Sequence, residues 1–251
     1  MIETFLAEYD LVRALIVGLI LFVSTVVVRV AGFGGSLVAM PLISPIIGLN
    51  VAAPLMNLFG VTNFSTLVIQ KWREVTFSDI WRLALMNALI LPVGIWSLTW
   101  IAEPTLRLIL GVLCVVYSLM RLAQLPPPAL ENRNWGWVYG FFAGLFSGAF
   151  SVGGVPAVLY ADTQNWEPER FRTNMFSFFS ITSITNVITR YFAGQITRDV
   201  VLLWLTAVPF LFFGLWVGEK LTHFIDKDRF QKLVLILLVV LGGRLIYSAF
   251  S

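Results

Sequence analysis

Two short stretches carry most of the chemistry open to this chain: "GFGGSLVAMP" at 32–41 and "SVGGVPAVLY" at 151–160. Each places a glycine pair, Gly34–Gly35 or Gly153–Gly154, in an apolar run and follows it with a proline, Pro41 or Pro156. A helix restarting after such a pair leaves its first N–H groups without intrahelical acceptors and carries partial positive charge there. That end binds anions. The prolines fit early helical turns or kinks near the break. Ser36 can cap its helix or offer a hydroxyl to a ligand.

Neutral polar side chains follow each break. One set is Asn57, Thr62, Asn63, Ser65 and Gln70; the other is Asn174, Ser177, Ser180, Thr182, Ser183, Thr185, Asn186 and Thr189. Their spacing puts several on one helical face. Such groups either join helices inside a membrane or bind a solute. Asn57 and Asn174, at matching places in the two sets, are the candidates for binding. Arg29, at the end of the first span, either neutralises an anion in a cavity or snorkels to the interface.

The remaining inventory excludes other chemistry. All fourteen Asp and Glu lie in loops or near span ends, so no carboxylate proton relay or sodium site is expected at mid-membrane. The single cysteine, Cys114, rules out an internal disulfide and reads as a small hydrophobe. His223 lies in a charged loop, and no metal-ligand set stands around it. Paired carboxylates, a histidine cluster and a nucleophile with its base are all missing from the spans, so neither an enzyme nor a cofactor is expected. A purely structural subunit would not need two polar breaks.

These residues must be positioned by membrane helices. The chain is 58% hydrophobic and 12% charged, with a mean hydropathy of +0.85. A soluble domain carries more charge, and uncharged runs of this length are spans. An all-α polytopic membrane protein is predicted, with a retained first helix and no cleaved signal peptide. Helices are expected at 11–30, 36–49, 51–70, 80–101, 105–123, 135–150, 153–165, 171–190, 199–218 and 230–250. No charge occurs between Arg29 and Lys71, which leaves room for two crossings, and "GLNVAAP" supplies a turn between them through Gly48, Asn50 and Pro54. Ten crossings divide the seventeen Lys and Arg 12:5 between the two sides, whereas folding the short segments 36–49 and 153–165 back divides them 9:8. The stronger bias is the usual one. It places both termini outside the cytoplasm and requires Asp162 to sit near a cytoplasmic end.

The glycine pairs are 119 residues apart, and other matches recur near that offset: "LMNLF" with "RTNMF", "VGIW" with "FGLW", and "VVYSLMRL" with "VVLGGRLI". A duplication follows, with repeats at 1–124 and 135–251 joined by a proline-rich linker at 125–134. Five segments per half make the repeats inverted, the architecture of many alternating-access transporters. The helices are expected to break at the Gly-Gly motifs, where irregular backbone points to a cavity.

On "GFGGSLVAMPLI" at 32–43 and "GAFSVGGVPAVLY" at 148–160, the chain resembles the sulfite exporter TauE/SafE family, whose members carry a glycine-rich stretch ending in proline near the start of each half. The second motif departs from many relatives, which have consecutive prolines after the glycines. The resemblance implies transport of small, often sulfur-containing anions, including sulfite and organosulfonates, across bacterial inner membranes. The expected function is therefore a secondary transporter or facilitator exporting such an anion; an anion channel, or uptake of a small carboxylate or thiosulfate, is the alternative. The candidate substrate-binding residues are Gly34, Gly35, Ser36, Asn57, Asn63, Gly153, Gly154, Asn174, Ser177 and Arg29. The expected partners are that anion and the lipid bilayer, with no nucleic acid, and a homodimer is left open.

Overall fold

A computed structural model describes residues 11–124, 130, 132–164, 166–224 and 227–250. Most of the linker, the first ten residues and the side chain of His223 lie outside that description. The described residues form ten α-helices and no strand. They are α1 (Leu11–Ala31), α2 (Gly35–Ile47), α3 (Leu49–Lys71), α4 (Phe77–Trp100), α5 (Glu103–Leu122), α6 (Trp135–Phe150), α7 (Gly154–Thr163), α8 (Pro168–Phe192), α9 (Arg198–Phe224) and α10 (Lys227–Phe250), with a 3₁₀ turn at Trp72–Glu74. Nine of them begin and end within three residues of a predicted segment; α9 runs six residues beyond the predicted 218, through Glu219 and Lys220.

Six helices are long and apolar enough to cross a membrane: α1, α3, α4, α5, α9 and α10. Their outer faces carry large apolar side chains, among them Leu89, Val93, Leu205, Phe212, Leu233 and Val240, as a lipid-facing surface requires. The helix α8 is long enough but carries too many Ser, Thr and Asn. The other helices, α2, α6 and α7, are short. At about 1.5 Å per residue α2 is roughly 20 Å long and α7 roughly 15 Å, less than the ~30 Å hydrocarbon core.

Two features of the predicted α2–α3 region differ. The turn is made by Gly48 alone, at φ 78° and ψ 153°, and Asn50 and Pro54 already belong to α3. A glycine accepts that backbone conformation without the steric cost a side chain would bring, so no further turn residue is needed. Pro41 is the seventh residue of α2, well past its first turn, where a missing N–H leaves an internal carbonyl free. Pro156, by contrast, is in the first turn of α7.

The helices pack in four principal pairs: α4 with α6, α1 with α9, α5 with α10 and α3 with α8. Small residues set the first of these. Gly136, Gly140, Gly144 and Gly148 recur every fourth position on α6 and so form one bare stripe. A Cβ at Gly140 would stand 2.7 Å from the Leu83 carbonyl oxygen, and one at Gly144 2.7 Å from that of Asn87. Van der Waals contact over such close backbones is what holds membrane helices together, since lipid is as apolar as leucine.

Charge gathers at one end of the bundle. Arg29 pairs with Glu219, Lys71 with Glu169, and Arg121 with Asp162 at 2.5 Å, while Asp79 receives Arg170 at 2.5 Å and Arg133 at 3.4 Å. These contacts bring the ends of α1, α3, α5, α7 and α9 together with the beginnings of α4, α6 and α8. The hydroxyl of Tyr160, near the end of α7, donates to the carbonyls of Asp79 and Arg133. The short helix α7 therefore returns to the face from which α6 set out, and Asp162 stands at that face.

Adding a methyl to the α4–α6 seam tests this packing. The Gly144→Ala variant is expected to lose about 1–3 kcal/mol, read as a lower midpoint of thermal unfolding in detergent. The Gly243→Ala variant, where a Cβ meets nothing within 4 Å, should unfold at the wild-type temperature.

Candidate functional site

The chain leaves helix at residues 32–34 and again at 151–153. Gly34 holds φ 89° and Ser151 φ 57°, both left-handed. After each interruption the next helix starts beside the one before it: a Cβ on Gly35 would stand 2.5 Å from Val28 and 2.7 Å from the Ser24 hydroxyl, and one on Gly153 would run into Ser147. Two helix starts are thereby set back into the bundle, facing a common space.

That space is a narrow cavity in which the centre of a water molecule can reach about 50 Å³. At roughly 10–15 Å³ per water, it has room for about three to five waters or one small oxyanion. Its wall is Ser24, Val28 and Gly34–Leu37 from the first break; Met56, Asn57, Phe59, Gly60, Asn63 and Phe64 from α3; Ser147 and Ser151–Gly154 from the second break; and Phe179, Thr182, Ser183 and Asn186 from α8. Neither an acidic nor a basic side chain is among them.

The electrostatics come instead from the helix starts. The first-turn N–H groups of Gly35, Ser36 and Leu37 have no acceptor within α2, the earliest intrahelical bond there running from Val38 N to Gly34 O. In α7 only Gly154 and Val155 offer such groups, because Pro156 has no N–H. Each helix start favours an anion by about 0.3–1 kcal/mol at exposed sites and up to ~2 kcal/mol when partly buried.

Three amides add to this. Asn57, Asn63 and Asn186 are buried, and Asn57 Nδ2, Asn63 Oδ1 and Asn186 Oδ1 have no protein partner. A buried polar atom left unpaired costs about 1–3 kcal/mol, so three of them around one cavity mark a place where a solute or water completes the bonding. Of these, Asn57 presents a free donor and so complements an anion directly.

Of the residues singled out by sequence, Gly34, Gly35, Ser36, Asn57, Asn63, Gly153 and Gly154 meet at the cavity. Asn174, Ser177 and Arg29 do not. Asn174 accepts a hydrogen bond from Thr76 N at 3.0 Å and donates to Asp79 Oδ2 at 3.2 Å, fixing the beginning of α4 at the ion-paired face. Ser177 returns its hydroxyl to the Thr173 carbonyl at 2.9 Å. Arg29 binds Glu219 and Gln70, and its carbonyl accepts from Arg172 at 2.8 Å.

The displacement of Asn174 is a matter of register. Val28 and Ser147, Gly34 and Gly153, Gly35 and Gly154, Gly60 and Phe179, Asn63 and Thr182, and Phe64 and Ser183 all line the cavity, and each pair is 119 residues apart. Asn57 and Asn174 are 117 apart. Two residues turn a helix by about 200°, which carries Asn174 to another face.

Sequence reasoning missed Asn87. Fully buried on α4, it donates to the Ser147 hydroxyl at 3.3 Å and accepts from Thr182 at 3.2 Å, tying two cavity-lining residues together from behind. An isolated asparagine in the apolar run "LALMNALIL" was the available signal.

A bundle of apolar-faced helices around a small neutral polar cavity, with no metal-ligand cluster among the described residues, defines a multi-pass membrane protein. The chain belongs to the sulfite exporter TauE/SafE family, whose model matches residues 16–245. It is thus a transporter and not an enzyme. It is 26% identical over 236 residues to a protein of Cupriavidus necator described as "Probable sulfite/organosulfonate exporter TauE", a match covering 88% of this chain and 89% of that one. No solved structure matches the chain.

Removing each asparagine separates the two placements. Asn174→Ala strands the Thr76 amide and weakens the hold on Asp79, so it should cost about 1–3 kcal/mol of stability. Asn57→Ala removes an unpaired group and should leave the thermal midpoint unchanged, both being measured in detergent without added anion.

Proposed function

We propose that the protein exports a small anion, sulfite or an organosulfonate, across the bacterial inner membrane by alternating access. The observation that carries this reading is the pairing of two inward-set helix starts with the free Asn57 donor in a cavity without a carboxylate. Donors converge there and no carboxylate stands by to repel a negative charge. The name of the Cupriavidus necator relative supports sulfur oxyanions over other small anions.

Two inverted repeats supply the moving parts. The principal packing pairs support them: exchanging each helix of α1–α5 with its counterpart in α6–α10 converts the α4–α6 pair into α9–α1 and leaves α5–α10 and α3–α8 unchanged. The constant offset of 119 across the cavity agrees. The helices α1 and α6 run in opposite senses relative to the ion-paired face, as inverted repeats require, and each breaks before its Gly-Gly motif. Arg29, Lys71, Arg121, Arg133 and Arg170, all among the twelve basic residues of the richer side, lie at that face, which supports a cytoplasmic orientation for it and periplasmic termini. Ion pairs there join the two halves, so access from the cytoplasm requires them to part.

Export needs no coupled ion. An inside-negative potential favours the departure of an anion by about 2.3 kcal/mol per charge per 100 mV.

Purified protein in liposomes should show saturable sulfite counterflow, which a channel lacks. The Asn57→Asp variant sets a negative charge among the donors and should weaken sulfite transport at least about tenfold. The Gly154→Ala variant, whose Cβ would sit in ordinary contact with Phe179 at 3.4 Å, should fold normally and impair transport by narrowing the cavity. Wild-type flux in N57D would overturn the site.

A further inference from the structure

Arg190 lies on α8 one helical turn beyond the cavity-lining Asn186, and none of it reaches the surface of the protein. It is at the end of the bundle away from the ion-paired face, since α8 begins there with Glu169 and Arg170. One guanidinium nitrogen donates to the carbonyl of Gly148 and another to Gln195 Oε1 at 2.5 Å. Gly148 stands between Ser147 and Ser151, both of which line the cavity. The guanidinium is therefore tied to the cavity wall on two sides, through α8 and through the end of α6.

What this arginine lacks is a counter-charge. Among the described residues no carboxylate pairs with it, and its Nε is buried without an acceptor. A guanidinium stays protonated in proteins, and a buried unpaired charge is expensive. The α6 carbonyls lower that cost, but a clamp on a helix end needs only a neutral donor. Charged side chains at membrane depth ordinarily face a partner or a solute pathway.

We propose that Arg190 is the resident counter-charge for the transported anion, a station that the anion meets on leaving the cavity away from the ion-paired face. The free Nε is the donor it offers there. The assignment rests on the anion-transport reading. It adds a selectivity rule: the cavity's own donors are neutral, so preference for a dianion over a monoanion comes from Arg190.

The test uses the full chain in liposomes, with sulfite counterflow measured above neutral pH, where sulfite is a dianion, and below it, where it is the bisulfite monoanion. Arg190→Gln should raise half-saturating sulfite roughly 30-fold or more above neutral pH and markedly less below. Arg190→Lys, which keeps the charge and loses the fork, should preserve the dianion preference. A clamp alone predicts an equal change at both pH values, and unchanged half-saturation in R190Q, like a lost dianion preference in R190K, overturns the proposal. Should R190Q fail to fold, R190K decides: dianion preference kept supports the assignment and its loss overturns it. Thermal stabilisation by sulfite, isethionate and chloride separates the two levels of inference. Wild-type counterflow with R190Q unaffected removes the role of Arg190 alone. Absence of sulfite counterflow, with chloride stabilisation present in the wild type and lost in R190Q, removes the substrate reading and keeps the counter-charge. Stabilisation by none of the three anions removes both.

Discussion

Inside hydrocarbon every backbone N–H and C=O needs a partner, and an interruption of a helix survives only where protein or water supplies one. The architecture follows from how this chain meets that demand at residues 32–34 and 151–153. Gly32 N bonds back to Val28 O, Ser151 N to Ser147 O and Val152 N to Phe146 O, so both outgoing helices are closed off. Ser151 also donates its hydroxyl to the Ala53 carbonyl, which fastens the second break to α3. The groups left over are the first N–H groups of α2 and α7, and Gly35, Ser36, Leu37 and Gly154 among them line the cavity. A backbone that could not be satisfied by helix alone has become the polar surface of the site.

That arrangement requires the surrounding helices to be held at fixed separations without a hydrophobic drive between them. Bare glycine stripes do this along the length of the bundle, and ion pairs do it at one end. The division of labour is electrostatic: full charges stay toward the ends of the bundle, buried Arg190 included, and neutral amides and hydroxyls occupy the middle. Most hydroxyls on α3 and α8 are spent locally, Thr62, Thr66, Ser177, Thr185 and Thr189 each donating to the carbonyl four residues earlier. The asparagines cannot all satisfy themselves in this way, because an amide has both donors and an acceptor. Accordingly Asn57, Asn63 and Asn186, all cavity-lining residues, each keep a buried side-chain atom without a protein partner.

The span limits were legible because the rule that sets them is local: charge is excluded from hydrocarbon, so the next charged residue ends the run. The meeting of Gly34–Gly35 with Gly153–Gly154 was legible for a related reason, since broken backbone at membrane depth has few places to go. Register was not. Matching "LMNLF" to "RTNMF" aligns apolar letters at an offset of 117, and apolar segments match well at several offsets; only the packing of α3 against α8 shows that 119 pairs the residues around the cavity. Asn87 and Arg190 were missed because their meaning lies in partners 60 and 42 residues away in the chain. Arg190 also resembled an ordinary helix-end arginine, and nothing in its neighbours reveals that protein covers it.

The two helix starts at the cavity differ in chemistry. The same glycine pair serves different needs in each: Gly34 supplies a left-handed turn at φ 89°, whereas Gly153 has ordinary φ and is required because a Cβ would collide with Ser147. The donors are unequal as well. The start of α2 offers the amides of Gly35, Ser36 and Leu37 and the Ser36 hydroxyl, while α7 offers two amides before Pro156 intervenes. The Phe179 ring lies over Gly154, at 3.4 Å from where a Cβ would be. An anion in the cavity thus meets more donors on the α2 side and an aromatic wall on the α7 side. A symmetric pair of helix starts would present equal donors from both sides; this pair does not, so on the proposed export reading an anion would meet unequal binding from the two directions.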